Sequence, residues 1–276
     1  MSNWFETGYD GVEREKFERE KRREMPWRFF LKTGQSAEVI FLDDFTRTRA
    51  VELPGSGEVI NQPTVPFCFN EHNLTVDGDW RNFFTCLQKI DPPCTICSNG
   101  HYKYYIGMYT VVTSWKADDG TVRWSKKLFP AKINAIERIR SKQARLMETG
   151  KIKDGQLQYV QFHVSRNSEQ SLVTGDDYEF VRVLTAEQVQ ELLPKPEQGQ
   201  EPISIAPFNY SKLFAPKPKE ELEKLFKQGR VQPPRKRGST SASASSNTGS
   251  PTVGASTSDV GGATESGGNA ADSIDF

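Results

Sequence analysis

The chain has 276 residues and equal numbers of basic and acidic side chains, 36 Lys and Arg against 36 Asp and Glu. No apolar run approaches the roughly 20 residues that cross a bilayer. Glu6, Asp10 and Glu13 interrupt the place where a signal peptide carries its apolar core. We therefore expect a cytoplasmic protein with no membrane contact.

The charges are unevenly distributed along the chain. Residues 238–276 contain four acidic residues and no basic one, whereas residues 1–237 carry 36 basic and 32 acidic residues. A positively charged body with a negatively charged tail is typical of proteins that bind polyanions such as nucleic acids.

Residues 1–25 form a charged amino-terminal segment. Within it, residues 11–24 are good helix formers with few apolar positions, and Pro26 ends the run. We predict a helix that is either solvated or dependent on a partner.

Short strands dominate residues 26–193, the predicted folded core. One helix is predicted from Ile133 to a stop at Gly150, and a shorter one after Thr185, where Gln188 completes a capping-box pattern. Strand patterns between turn residues occur in seven segments: 35–45, 65–69, 79–87, 102–115, 121–129, 157–164 and 177–184.

Three of the four cysteines lie close together in the sequence and share a ligand-like spacing with one histidine. The spacing is His-x13-Cys-x7-Cys-x2-Cys, over His72, Cys86, Cys94 and Cys97. Zinc prefers four tetrahedral nitrogen and sulfur ligands, and a closed Cys3His set is one of its structural solutions. We predict that these residues bind one structural zinc ion in a subdomain of about residues 66–101.

Two alternatives stay open for this cluster. Cys68 and His101 are within chain reach, and either could replace one of the four ligands, although the strand-like alternation around Cys68 favours a small core residue. The Cys94 and Cys97 pair could instead be a redox pair. Redox pairs are typical of a βαβ context, whereas a Ser-Asn-Gly turn follows here.

The segments 102–115 and 121–129 predict a β-hairpin with an Asp-Gly turn. The even-numbered residues from Ile106 to Val112 are mostly apolar and are expected to face the core, so the odd-numbered ones share the opposite face. Single-stranded nucleic acid binds to rings beside cations, because unpaired bases stack on aromatic rings while Lys and Arg contact phosphates. The predicted stacking residues are Tyr105, Tyr109 and Trp115, and the predicted phosphate contacts are Lys103, Lys116, Arg123, Lys126 and Lys127.

These elements together predict a mainly β protein with a few helices, in which an OB-fold barrel carries the zinc-binding insertion. No pattern predicts catalysis. The glycine-containing turn at residues 53–58 lacks the Lys-Ser/Thr pair of a phosphate-binding loop, and the three histidines are scattered along the chain. We expect no enzymatic activity.

Prolines accumulate after Leu193, and we predict a Pro-rich linker over residues 194–237. It contains one short helix, residues 218–228, whose apolar stripe either packs on the body or docks on a partner. Residues 238–276 have almost nothing to bury and predict a disordered tail. The tail ends in an acidic and aromatic tip that is expected to bind a partner protein, through Asp272, Ile274, Asp275 and Phe276.

Three groups of residues carry a resemblance to a known family. They are Arg28-Phe-Phe-Leu-Lys32 leading into Val39-Ile-Phe-Leu-Asp-Asp44, the pattern His72, Cys86 and Cys94-Thr-Ile-Cys97, and Tyr105-Ile-Gly-Met-Tyr109-Thr-Val. The sequence resembles, over roughly residues 25–185, the single-stranded DNA-binding proteins of tailed bacteriophages. Within that family it resembles the zinc-containing OB-fold type, which is related to the helix-destabilising protein of T4-like phages. The tip separately resembles the terminus of bacterial single-stranded DNA-binding proteins, although its tail is sparser in acids.

The resemblance implies sequence-independent binding of single-stranded DNA and protection of exposed strands. It also implies recruitment of phage replication, recombination and repair proteins through the tip, in the cytoplasm of a bacterial host cell. Self-association on DNA is left open. One alternative is a zinc-ribbon adaptor subunit of a transcription or replication complex, which would contact protein rather than nucleic acid. A metal-dependent nuclease would need convergent carboxylates, which the sequence does not reveal.

Overall fold

The structure is a computed structural model that describes residues 26–52, 59–117, 119–195 and 202–234. The charged segment 1–25, the turn 53–58 and the tail 238–276 with its predicted tip lie outside the described residues. The chain divides into two units, Met1–Gln232 and Pro233–Phe276, and all the elements below belong to the first.

Nine strands and five α-helices make up the described part. The strands are β1 Ser36–Phe41, β2 Thr48–Glu52, β3 Val59–Pro63, β4 Phe67–Val76, β5 Asp79–Thr85, β6 Tyr104–Lys116, β7 Val122–Ala131, β8 Val160–Ser165 and β9 Asp177–Val183. The helices are α1 Thr95–Ser98, α2 Ile133–Glu148, α3 Ala186–Leu192, α4 Tyr210–Leu213 and α5 Lys219–Lys227, with a 3-10 turn at Leu87–Lys89.

The sequence predictions of these elements are largely confirmed. Each of the seven predicted strand segments overlaps a strand, and the three helices predicted within the described residues correspond to α2, α3 and α5. The capping box at the start of α3 is present, with Thr185 and Gln188 bonding each other's backbone N–H. The sequence pattern did not predict the separate hairpin of β2 and β3. No helix in the described parts of the chain is long and apolar enough to cross a membrane.

The long strand β6 organises a seven-stranded antiparallel sheet. One edge of β6 is shared, because β4 pairs with Tyr104–Met108 and β1 pairs with Val111–Thr113. The other edge pairs with β7. The path of strands runs β5-β4-β6-β1-β8-β9. Its two end strands do not pair with each other among the described residues, so the predicted closed barrel is not formed by these pairings.

The main core lies on one face of this sheet, and α2 packs against it. Phe41 makes edge contacts with the rings of Tyr109 and Phe162, at centroid distances of 5.4 Å and 6.0 Å. The helix approaches β6 closely at Gly107, where a Cβ atom would lie 2.9 Å from Cδ1 of Ile136. A side chain at this position would require a shift of Ile136 on the helix and of Pro66, whose Cβ lies at the same distance.

Residues 202–214, which we call the covering segment, pack on the other face of the sheet. The sequence placed them in a linker, yet the ring of Tyr210 stacks on Phe67 at 5.4 Å and Phe214 is buried. Phe208, Tyr210, Leu213 and Phe214 form one cluster with Ile106, Met108 and Leu128. The middle of β6 is therefore buried on both faces.

Candidate metal centre and nucleic-acid surface

The structure brings the four predicted metal ligands together. His72 lies on β4, Cys86 follows β5, Cys94 precedes α1 and Cys97 lies within α1. Their four ligand atoms all lie within 4.8 Å of one another, and only Cys97 is not fully buried. The hairpin of β4 and β5 supplies two ligands and the turn into α1 supplies the other two, so one metal ion can be reached from two neighbouring elements.

Three of the six distances between the ligand atoms are short and similar. Sγ of Cys86 lies 3.7 Å from Sγ of Cys97. Nε2 of His72 lies 3.6 Å from Sγ of Cys94 and 3.6 Å from Sγ of Cys97. Since all four atoms lie within 4.8 Å of one another, a single ion can contact all of them.

His72 is oriented for ligation by the backbone. Its Nδ1 lies 2.7 Å from the carbonyl oxygen of Tyr102, so Nδ1 carries the proton and donates it while Nε2 faces the sulfur atoms with a free lone pair. Burial lowers the pKa of the imidazole, and this outweighs the opposing effect of the Tyr102 carbonyl. A neutral histidine is the form that binds a metal.

The thiols are in unequal environments. Burial, together with the adjacent Cys86 and Cys94 sulfur atoms, raises the pKa of Cys97 to about 12. Burial acts in the same direction on Cys94, but backbone N–H groups, including those of Cys97 and Leu87, outweigh it and lower the pKa of that thiol. Three thiolates can share this space only with a cation between them, because like charges in a buried site raise each other's pKa.

The two alternative ligands are not part of the cluster. Cys68 is exposed, so the prediction of a small core residue is wrong; it lies beside Tyr105 and raises the pKa of that phenol to about 12. The ring of His101 instead packs against the ring of Phe226 on α5, at a centroid distance of 5.6 Å.

The predicted stacking residues do not form one surface. Tyr109 is only 1 % exposed and contacts the rings of Phe41 and Phe129, so its predicted role in stacking on bases is corrected to a role in the core. Tyr105 and Trp115 are 45 % and 43 % exposed. They are ten residues apart on β6, which corresponds to about 33 Å along a strand.

The predicted phosphate contacts also differ among themselves. Arg123 donates to the carboxylate of Asp119 at 2.9 Å, and Lys126 donates to carbonyl oxygens of Ser204 and Ala206 in the covering segment. Lys126 also lies 4.3 Å above the ring of Phe208. The remaining three are two exposed lysines, Lys103 and Lys116, and the half-buried Lys127.

Two exposed rings next to Arg28 were not assigned a role by the sequence. Trp27 is 71 % exposed and Phe30 is 60 % exposed. Arg28 between them makes two hydrogen bonds to the buried Glu71, at 2.8 Å and 2.7 Å, and lies 3.5 Å above the ring of Phe83. The only signal in the sequence was an aromatic run beside a basic residue, which is equally typical of a core strand.

Comparisons of the chain with protein-family models, with curated proteins and with solved structures gave no match. What can be said of its class therefore comes from its own geometry: a mainly β protein with an open antiparallel sheet and a buried Cys3His cluster that can hold a metal ion.

Proposed function

We propose that the chain is a non-enzymatic protein that binds single-stranded DNA without sequence preference along the β6–β7 hairpin. The observation that carries the proposal lies at the turn end of that hairpin, where β6 ends and β7 begins. There the Trp115 ring is 43 % exposed and the guanidinium of Arg123 lies 5.8 Å from its centroid. Lys116, the next residue of β6, is a second exposed cation at this end of the hairpin. A ring with cations beside it can stack a base and contact phosphates at the same time.

The proposed ion of the Cys3His cluster is zinc. A tetrahedral zinc with bonds of about 2.3 Å to sulfur and about 2.1 Å to nitrogen has sulfur–sulfur edges of about 3.8 Å and sulfur–nitrogen edges of about 3.6 Å. The separations of 3.7 Å and 3.6 Å in the cluster match these edges. Four protein ligands leave no position for water, so the proposed role of the ion is structural.

The proposed fold is an opened OB-type barrel with an insertion that we call the metal lobe, formed by β4, β5, α1 and the helix α5 that packs on them. What supports it is β6, a 13-residue strand that pairs with β4, β1 and β7, together with a core on one face of the sheet and α2 against it. In this proposal the hairpin of β6 and β7 is the wall of the DNA groove.

The biological role that fits this binding mode is protection of exposed strands during phage DNA replication, recombination and repair. Binding through phosphates and stacking is independent of sequence and suits that role. The tip at Asp272–Phe276 is proposed to recruit partner proteins, because a flexible tether with an acidic, aromatic end can reach a basic pocket. The support for the tip is its sequence alone.

Titration of tryptophan fluorescence with oligo-dT tests the proposal. We expect quenching, and an apparent affinity whose logarithm falls with the logarithm of salt concentration by about 0.7 per phosphate contacted. Trp115→Ala should weaken binding by about 1–3 kcal/mol, whereas Tyr109→Phe, at a buried ring, should leave it unchanged. The absence of binding by the unmodified protein would refute the proposal.

A second candidate function is a zinc-stabilised adaptor that contacts another protein. The observation that favours it is the exposure of large apolar side chains on the metal lobe and next to it, Trp80 at 47 % and Ile90 at 58 %. Such residues are enriched at protein interfaces. This candidate predicts no affinity for naked oligonucleotides, so the same titration separates the two.

A further inference from the structure

One strip of side chains continues from the core onto the surface beside the hairpin. Residues 27–29 run along the free edge of β7 in parallel register, with Arg28 bridged to Leu128. Leu128 donates its N–H to the Trp27 carbonyl at 2.9 Å, and Phe29 donates to the Leu128 carbonyl at 2.6 Å. The register therefore places Trp27 next to Lys127.

The same register defines which face these side chains share. The rings of Phe29 and Phe129 stack at a centroid distance of 5.3 Å with an interplanar angle of 13°. Alternate residues of an extended chain lie on the same face. Trp27 and Lys127 each precede one of these two rings by two positions. They therefore lie on the same face as the ring stack, at the edge of the core.

Lys127 is a cation without a counter-charge in the described part of the chain. Its side chain is half-buried, and burial lowers its pKa. Within residues 26–52, 59–117, 119–195 and 202–234, no carboxylate or carbonyl oxygen pairs with its ammonium group. A cation that is partly withdrawn from water is stabilised by a bound anion.

Ser125 is the next residue of β7 on this face. Its Oγ is buried and has no hydrogen-bond partner among the described residues. Buried hydroxyl groups are hydrogen-bonded in nearly all proteins, through protein, water or ligand. Because this Oγ is closed off from solvent, the groups of the strip that a ligand can contact are those of Lys127 and Trp27.

Trp27 supplies the second component. At 71 % it is the most exposed large apolar side chain of the described residues. The contacts of Arg28 to Glu71 and Phe83 fix the backbone on which it stands. An exposed indole on a fixed backbone can stack on a base with little loss of conformational freedom.

We propose that Trp27 and Lys127 together bind one nucleotide of a single strand, and we call this pair the nucleotide seat. The phosphodiester accepts from the Lys127 ammonium, and the base stacks on Trp27. This inference rests on the proposed function and deepens it. The strip continues along β7 to Arg123, about 13 Å from Lys127, and across the pair to Trp115. The bound strand then runs beside β7 with an indole at each end.

The test compares oligo-dT affinity of the full chain with that of three variants and a control. Trp27→Ala should weaken binding on the order of 10-fold, while Trp27→Phe, which keeps a ring, should retain most of the affinity. Lys127→Met should weaken binding and reduce the salt slope by about 0.7. The control is Phe30→Ala, which removes a ring that is 60 % exposed but not on the strip, and its affinity should be unchanged.

A second measurement uses only the unmodified protein, so it does not depend on whether the variants fold. Photo-crosslinking of the unmodified protein to a bromodeoxyuridine-substituted oligonucleotide, followed by mass spectrometry, should find a crosslink at Trp27. If the unmodified protein binds oligo-dT but Trp27→Ala and Lys127→Met bind equally well and no crosslink maps to Trp27, the nucleotide seat is overturned while the proposed function stands. If the unmodified protein does not bind at all, both are overturned.

Discussion

Asp43 is a carboxylic acid buried between the sheet and the covering segment. It is 1 % exposed, accepts a hydrogen bond from the Tyr210 hydroxyl at 2.7 Å and another from the Thr110 N–H at 2.6 Å. Burial raises its pKa to about 6, against the lowering effects of these two hydrogen bonds. Asp43 therefore links the sheet to the covering segment, and the free-energy cost of burying its carboxyl group depends on pH.

The raised pKa of Asp43 predicts the sign of that dependence. Because the folded-state pKa lies above the unfolded one, the folded state binds the proton more tightly, and the stabilisation is present at low pH and lost as pH rises through about 6. Between pH 7 and pH 5 the unmodified protein should gain about 1 kcal/mol of unfolding free energy relative to Asp43→Asn. Urea unfolding of both proteins at the two pH values measures this difference; an equal response of the two would contradict it.

The four cysteines should respond differently to substitution. We expect the unmodified protein and Cys68→Ser to bind about one zinc ion per chain, because Cys68 is exposed and outside the cluster. Cys97→Ser should lose the ion and unfold at a lower temperature, since structural zinc contributes on the order of 10 kcal/mol to folding. Elemental analysis and thermal scans of the three proteins check this. Zinc retained by Cys97→Ser, or absent from the unmodified protein, would refute the assignment.

At the scale of elements, α5 is part of the metal lobe. Leu222 on this helix is fully buried and packs in one cluster with Leu74, Cys94 and Ile96. The sequence predicted that the apolar stripe of this helix either packs on the body or docks on a partner. In the structure it packs on the body. Leu225 and Phe226 of the same helix also pack against this cluster, which includes the ligand Cys86.

Truncating Leu222 should therefore weaken the lobe. Leu222→Ala removes buried methyl groups and should lower the unfolding free energy by about 2–5 kcal/mol. The matched control on the same helix is Lys224→Ala, at an exposed position, which should change it by less than about 0.5 kcal/mol. Denaturant unfolding with zinc present compares the two. Equal stabilities would mean that α5 does not support the lobe.

At the scale of the whole molecule, the covering segment completes the folded unit. Its rings fill one face of β6, and its carbonyl groups hold Lys126. Without it, Met108 and Leu128, both fully buried, would be exposed to water. Two clusters of the body, the one under the covering segment and the metal lobe, depend on residues that follow Leu193 in the chain.

Two truncations test this dependence. A chain ending at residue 237 lacks only the tail, which has little to bury, and should keep the melting temperature of the full chain. A chain ending at residue 195 loses the covering segment and α5, and should melt at a clearly lower temperature or aggregate, because large apolar surfaces become exposed. Equal melting temperatures for both chains would show that the body ends near Leu193, as the linker prediction had it.

The sequence by itself determined the local structure of this protein. The strands, the long helix α2, the capping box at Thr185 and the spacing of His72, Cys86, Cys94 and Cys97 depend on residues that are near one another in the chain. Alternation, helical periodicity and ligand spacing record such short-range requirements directly.

Only the tertiary structure decided which surfaces stay exposed. Tyr109 satisfied the pattern for a surface ring, yet both faces of β6 are covered in its middle, by the core and by the covering segment. Trp27 became a neighbour of Lys127 through pairing between segments 100 residues apart. Burial is set by contacts between distant parts of the chain, and these contacts leave no periodic signal in the sequence.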